Sequence, residues 1–266
     1  MTHNLISKSE EKVTALEFAD FVLEVGTYLL ASGAHSGRVK SNIQRLADRW
    51  NFTINLFPTF KGMTITVTDK TDSQNAVTRY MSSPPHTVHL AVLTYISRLT
   101  WEVYLKKISF TETQKRFYSI KNKKSYDNRI VAFAIGLSCA GLCLFSGGDL
   151  INAGVALFAA TTGFTLKVEL GKRKVNAELA ICAAAFLTTL LTGLGFLSDL
   201  GSNPEAAMAT AVLYLIPGVP LINCVIDLIE GFLTSAVNRG LFAGFILLSI
   251  ATGMTICITL LGINNF

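Results

Sequence analysis

Asn223, Asp227, Glu230 and Thr234 follow one another at spacings of four, three and four, so a helix presents them on one face. They sit within or beside a strongly apolar stretch, where buried charge is costly and marks a functional site by default. Directly before them runs Leu215-Ile216-Pro217-Gly218-Val219-Pro220-Leu221-Ile222. Each proline lacks an N–H and obstructs the preceding helical turn. In a membrane-length segment such a break persists where it is buried in protein or lines a wet cavity. A helix restarting near Pro220 or Leu221 directs its N-terminal dipole at an anionic group, and proline in a first turn forfeits no bond. Pro217, Gly218, Val219, Pro220 and Asn223 are therefore the expected binding position for a carboxylate. Asp227 and Glu230 would repel an anion held close to them if both were ionised, so their expected role is proton coupling or gating. Glu230 has the plainer reading of facing the cytoplasm. Arg239 is either a positive-inside anchor, a partner of Asp227 or Glu230, or an attractor of anions at the cytoplasmic entrance.

The elements that must position these residues divide the chain in two. Residues 1–129 hold 18 Lys/Arg against 11 Asp/Glu, whereas residues 130–266 hold 5 against 7. The basic half reads as a cytoplasmic domain with a membrane-proximal basic end, not as a nucleic-acid binder. From Thr14 to Ser32 apolar residues recur at helical spacing, and a second helix follows from Ser36 or Gly37 to Trp50. Phe52, Ile54 and Leu56, then Met63, Ile65 and Val67, alternate with polar residues and predict a hairpin, with a third strand over Ala76–Met81. Helical period returns over His86–Lys107 and Thr111–Ile120, the latter opened by a Thr111–Gln114 capping box. This predicts a cytoplasmic α/β domain over residues 1–125. Its histidines His35, His86 and His89 form no metal pattern, and it shows no catalytic signature. Met1–Glu11 lacks the apolar core of a cleavable signal. The five cysteines read as small apolar membrane residues.

Residues 126–266 read as a transmembrane domain. Lys121, Lys123, Lys124 and Arg129 form a basic collar before charge-free runs at 130–147, 150–166, 179–198, 206–226 and 240–266. A spanning helix needs about 17–25 apolar residues, which predicts five spans near 130–147, 150–166, 179–198, 206–233 and 240–263, the fourth broken at Pro-Gly-Val-Pro. The loops after spans two and four are basic and the intervening ones are not, so the N-terminus is expected in the cytoplasm and the C-terminus outside. Small residues in spans one to three read as helix packing. Ser138, Thr161 and Thr162 are weaker candidates for lining a pathway. At ~1.5 Å per residue, Ala206–Ile216 covers about 16 Å, half of a ~30 Å core. The break then falls near the midplane and Asp227 near the cytoplasmic edge.

Pro217-Gly218-Val219-Pro220-Leu221-Ile222-Asn223, followed by Asp227, Gly231 and Arg239, resembles the motif of the threonine/serine exporter family. Leu30-Ala31-Ser32-Gly33-Ala34-His35-Ser36-Gly37-Arg38-Val39 is similar to that family's N-terminal helix-turn, as are Gly136–Ala140 and Phe158–Thr162 to its other segments. The chain departs from the family at Phe232 and Ala236. The resemblance implies the larger subunit of the split, two-component type, working in a bacterial inner membrane with a smaller membrane subunit. It implies export of a small carboxylate, either a dicarboxylate such as succinate or threonine and serine. No cofactor, metal or nucleic acid is expected, and a homo-oligomer is compatible. The alternatives are a membrane-anchored enzyme or sensor, whose soluble domain would carry the activity, and a channel.

Overall fold

The computed structural model describes residues 13–72, 74–106, 108–123 and 126–263. The readings placed on Met1–Glu11, on Lys107, on Lys124 and on residues 264–266 lie outside the described residues. The chain divides into two compact units, Met1–Lys123 with Val219–Gly240, and Lys124–Gly218 with Leu241–Phe266. Val219–Gly240 thus clusters with the N-terminal region, across the break that the apolar pattern bridges.

The first unit begins with α1 (Ala15–Ala31), opened by a Thr14–Glu17 capping box. A Schellman turn closes it: Gly33 sits at φ +96°, the Gly33 N–H donates to Leu30 O, and the Ala34 N–H donates to Leu29 O. Glycine suits that left-handed position because it has no Cβ. α2 (Ser36–Arg49) follows at once, with His35 as its N-cap. β1 (Phe52–Thr59), β2 (Gly62–Asp69) and β3 (Ala76–Ser82) form an antiparallel sheet in the order β1-β2-β3. Pro58 lies in β1, an edge strand, where a missing N–H is tolerated. Met63, Ile65 and Val67 turn inward against α1 and α2, and Phe18 stacks on Phe52 with ring centroids 4.7 Å apart. α3 (Leu90–Lys106) and α4 (Phe110–Lys121) complete the core, with Phe117 buried edge-on to Phe21.

Two local expectations are corrected. The segment 83–89 is not helical. Pro84 and Pro85 disfavour helix around them, while the N–H groups of Thr87 and His89 donate to Ala31 O and Ser32 O. His89 Nδ1 then accepts from the Val92 N–H at the start of α3. The cap of α4 is Ser109, which accepts from the Glu112 N–H, in place of a Thr111–Gln114 box.

The second unit holds α5 (Asn128–Phe145), α6 (Leu150–Lys172), α7 (Ala177–Leu197), α8 (Pro204–Ala211) and a 3₁₀ turn at Leu213–Leu215. α9 (Gly218–Ile229) follows the break and α10 (Leu233–Leu261) ends the described chain. Among the described residues α5, α6, α7 and α10 are long and apolar enough to cross a membrane; the bent pair Pro204–Leu215 plus Gly218–Ile229 would make a fifth span. α10 begins at Leu233, seven residues before the charge-free run. Gly231, at φ +82°, closes α9 in a second Schellman turn, the Phe232 N–H donating to Asp227 O, and the chain can restart helical immediately. Small residues bring the helices close: a Cβ on Gly136 would overlap Thr161 Oγ1, and one on Gly163 would overlap Thr188 Oγ1 and Tyr214 Oη. A polar clip joins two loops, with the Ser202 N–H donating to Asp149 Oδ2 (2.8 Å) and the Asn152 amide donating to Leu200 O (2.7 Å).

Candidate functional site

The two stretches that carry the family-like motifs, Gly33–Gly37 and Asn223–Arg239, meet within the first unit. The turn between α1 and α2 exposes two carbonyls at the end of one helix and the first N–H groups of the next. Helix termini leave such groups without intrahelical partners, and here α9 and α10 supply the partners. The Asn223 amide donates to Gly33 O (2.8 Å). An Arg239 Nη2 hydrogen is donated to Ala34 O (2.8 Å). The Ser36 N–H donates to Asp227 Oδ1 (2.7 Å), and the Gly37 N–H to Glu230 Oε2 (3.1 Å). Two acceptors are followed by two donors along the turn; Asn223, Asp227 and Glu230 meet three of them in chain order, and Arg239 of α10 takes the fourth, Ala34 O. Nearby, Ser235 Oγ donates to Pro58 O (2.9 Å).

Asp227 is fully buried and Arg239 nearly so, and Arg239 Nε lies 3.0 Å from Asp227 Oδ2. The contact is an ion pair by distance, without the alignment of a hydrogen bond. An aspartate here has its charge balanced by a guanidinium and by the N-terminus of α2, whose dipole favours anions. Of the readings left open for Arg239, the contact seen is the pairing with Asp227. Gly37 is required by the approach of α9: a Cβ at that position would overlap the Glu230 carboxylate. His35 Nδ1 lies 3.1 Å from Glu230 Oε2 and also accepts the Arg38 N–H at 3.3 Å.

His35, Asp227 and Glu230 place three ligand-type atoms within 4.8 Å of one another. The surroundings suit anions. Amide hydrogens of Ser36 and Gly37 already point at the two carboxylates, Arg239 balances Asp227, and the positive end of α2 faces both. A divalent cation among those hydrogens would meet like charge, so the donor set does not fit a metal centre.

The remaining expected residues fall elsewhere. Of Pro217–Pro220 only Gly218 and Val219 carry an N–H, and that of Gly218 donates to Ile216 O (2.9 Å). The start of α9 is thus poorer in donors than an ordinary helix N-terminus, and the Asn223 amide is engaged by Gly33. Thr234 is exposed. In the second unit Ser138 Oγ donates to Ala134 O of its own helix, and Thr162 Oγ1 donates to Phe158 O of its own. Thr161 Oγ1 reaches Ala132 O of α5 at 3.4 Å. Sequence reasoning missed His35, Ser36 and Gly37 as site residues, and also the partly buried Thr188–Tyr214 hydroxyl contact at 3.1 Å. The signal for the first three was available: two glycines flank a capping residue between two helices.

The profile of the threonine/serine exporter family matches residues 20–261. The chain is 27% identical to the "Probable succinate transporter subunit YjjP" of Escherichia coli K12, over 92% of this chain and 94% of that protein. It is also 27% identical to the protein of the same name from Klebsiella aerogenes, over 97% of this chain and 98% of that one. No solved structure matches. The family match runs through both motif stretches and every described membrane-length helix, and the chain belongs to the threonine/serine exporter family.

Proposed function

We propose that the protein is the larger subunit of a two-component exporter that moves a small carboxylate out across a bacterial inner membrane. A dicarboxylate such as succinate is the first candidate, on the strength of the relatives' names, and threonine or serine the second. One observation carries the reading: a buried acid–guanidinium pair, Asp227 with Arg239, stands directly after a proline-broken helix. Ionisable groups at such positions mark ion and substrate pathways, and transporters set their substrates at discontinuous helices.

The roles divide accordingly. Pro217, Gly218, Val219 and Pro220 form the helix break at which the substrate carboxylate is expected. Asn223, whose amide is held by Gly33, orients α9 and is released only if α9 moves. Asp227 and Glu230 couple or gate, and Arg239 sets the charge of Asp227. Ser138, Thr161 and Thr162 are secondary lining positions in the second unit. The links from α9 to the α1–α2 turn support a cytoplasmic location for the acidic end, since the basic N-terminal region is expected there. The protein acts as a transporter, not a catalyst.

The test is transport in proteoliposomes with labelled succinate and labelled threonine, with and without the smaller subunit. Movement of succinate that requires both subunits and collapses with an uncoupler is expected. Transport of neither compound would overturn the reading, and flux insensitive to uncouplers would mark a channel instead.

A further inference from the structure

His35 Nδ1 has one in-plane position and two partners. It accepts the Arg38 N–H as the N-cap of α2, which requires a lone pair on Nδ1. It also lies 3.1 Å from Glu230 Oε2, which requires a proton between the two atoms if Glu230 is a carboxylate. A ring nitrogen cannot accept one bond and donate the other in the same plane. The two contacts therefore belong to different protonation states, held in one geometry.

We propose that His35 is the proton-binding group that sets the strength of the link between the α1–α2 turn and α9. This rests on the reading of Glu230 as a gating group and adds its partner and its signal. With Nδ1 unprotonated, the ring caps α2 and turns a lone pair toward Glu230, which repels it. Taking a proton from solvent on Nδ1 ends the cap, frees the Arg38 N–H and forms a charge-assisted bond to Glu230. Both side chains have access to solvent, at 26% and 35% exposure, so the proton exchanges without passing through the core. Histidine is the side chain that changes charge in the range between pH 5 and 8.

The other charged groups around the ring have partners of their own. Asp227 of α9 is paired with Arg239 of α10 and takes the Ser36 N–H. Arg38 of α2 sends its guanidinium to Leu93 O and Ser97 Oγ of α3. On the segment before α3, His86 bonds Phe60 O, and His89 Nδ1 takes the Val92 N–H. With Asp227 balanced, protonation of His35 leaves the Glu230 side neutral, and deprotonation leaves it with one unbalanced negative charge facing the turn.

Histidine-selective ¹⁵N NMR of the full chain in detergent micelles, from pH 5 to pH 8, reads the proton directly. H35N identifies the His35 signals and keeps an N-cap, since asparagine caps well. The expected result is a charged ring with Nδ1 protonated at pH 5 that converts to the Nε2–H tautomer by pH 8, and a lower-pH midpoint in E230Q than in wild type. A proton retained on Nδ1 throughout, an Nε2–H tautomer throughout, or an unmoved midpoint in E230Q would each overturn the proposal. A normal titration in a protein that transports no carboxylate at any pH would leave this link standing and contradict the proposed function instead.

Discussion

Ser36 shows how much of the site is made by the main chain. Its hydroxyl is buried without a hydrogen-bond partner among the described residues, while its N–H holds Asp227. It is also the first residue of α2, where proline is well accommodated, and His35 at φ −74°, ψ 160° already has the backbone that precedes proline. Ser36→Pro therefore removes the one N–H and leaves the helix sound. It should cost about 1.5–3 kcal/mol, the worth of a hydrogen bond to a charged group, whereas Ser36→Ala should stay within about 0.5 kcal/mol; chemical unfolding of the two variants checks both. The ion pair behaves differently. Asp227→Asn strands a buried guanidinium and should cost about 3–5 kcal/mol. Adding Arg239→Gln should recover part of that stability without restoring export, and additive losses in the double variant would argue against the pairing.

Among the elements, helices and strands with strong periodicity were legible: α1, α2, the hairpin and the third strand follow from apolar spacing, although Pro58 falls inside β1 and does not mark its end. Element ends were less so. α3 begins at Leu90 because Pro84 and Pro85 and two main-chain bonds keep 83–89 extended, and α10 begins early because Gly231 turns the chain within one residue. Neither the backbone pairing nor the neutralised Arg239 that lets a charge enter α10 is visible in hydropathy. The segment before α3 carries a pH response of its own. Burial pushes the His86 imidazole below its usual range, outweighing the Phe60 carbonyl, and Arg239 adds to the lowering. The unfolded chain then takes up this proton at a higher pH than the folded one, so stability falls as pH drops below about 6.5. The stack of His86 on Phe60, centroids 4.2 Å apart, allows His86→Phe to remove the titration and keep the packing. Thermal midpoints of the variant should show less loss between pH 7 and pH 5.5 than wild type; equal losses would dismiss His86 as the cause.

For the whole molecule, the partition of charge separates a basic N-terminal half from the apolar half that holds the membrane-length helices, and the broken motif marks the segment to suspect. The site itself was not legible, because Gly33–Gly37 and Asn223–Arg239 lie about 190 positions apart and periodicity speaks only of neighbours three or four residues away. Both stretches had been singled out separately; only the fold joins them. Topology has its own test. Single cysteines at Gly147 and Ser202, in an otherwise cysteine-free chain, should react with an impermeant thiol reagent added outside cells, and one at Lys174 should not. Labelling of Lys174Cys from outside would invert the expected orientation. The central claim is that Asp227, locked between Arg239 and the N-terminus of α2, drives export. Its most direct test is the initial rate of succinate transport by wild type and Asp227→Asn, reconstituted with the smaller subunit at matched protein levels. The variant is expected to insert normally and to lose most of the wild-type rate, and transport at the wild-type rate would contradict the account.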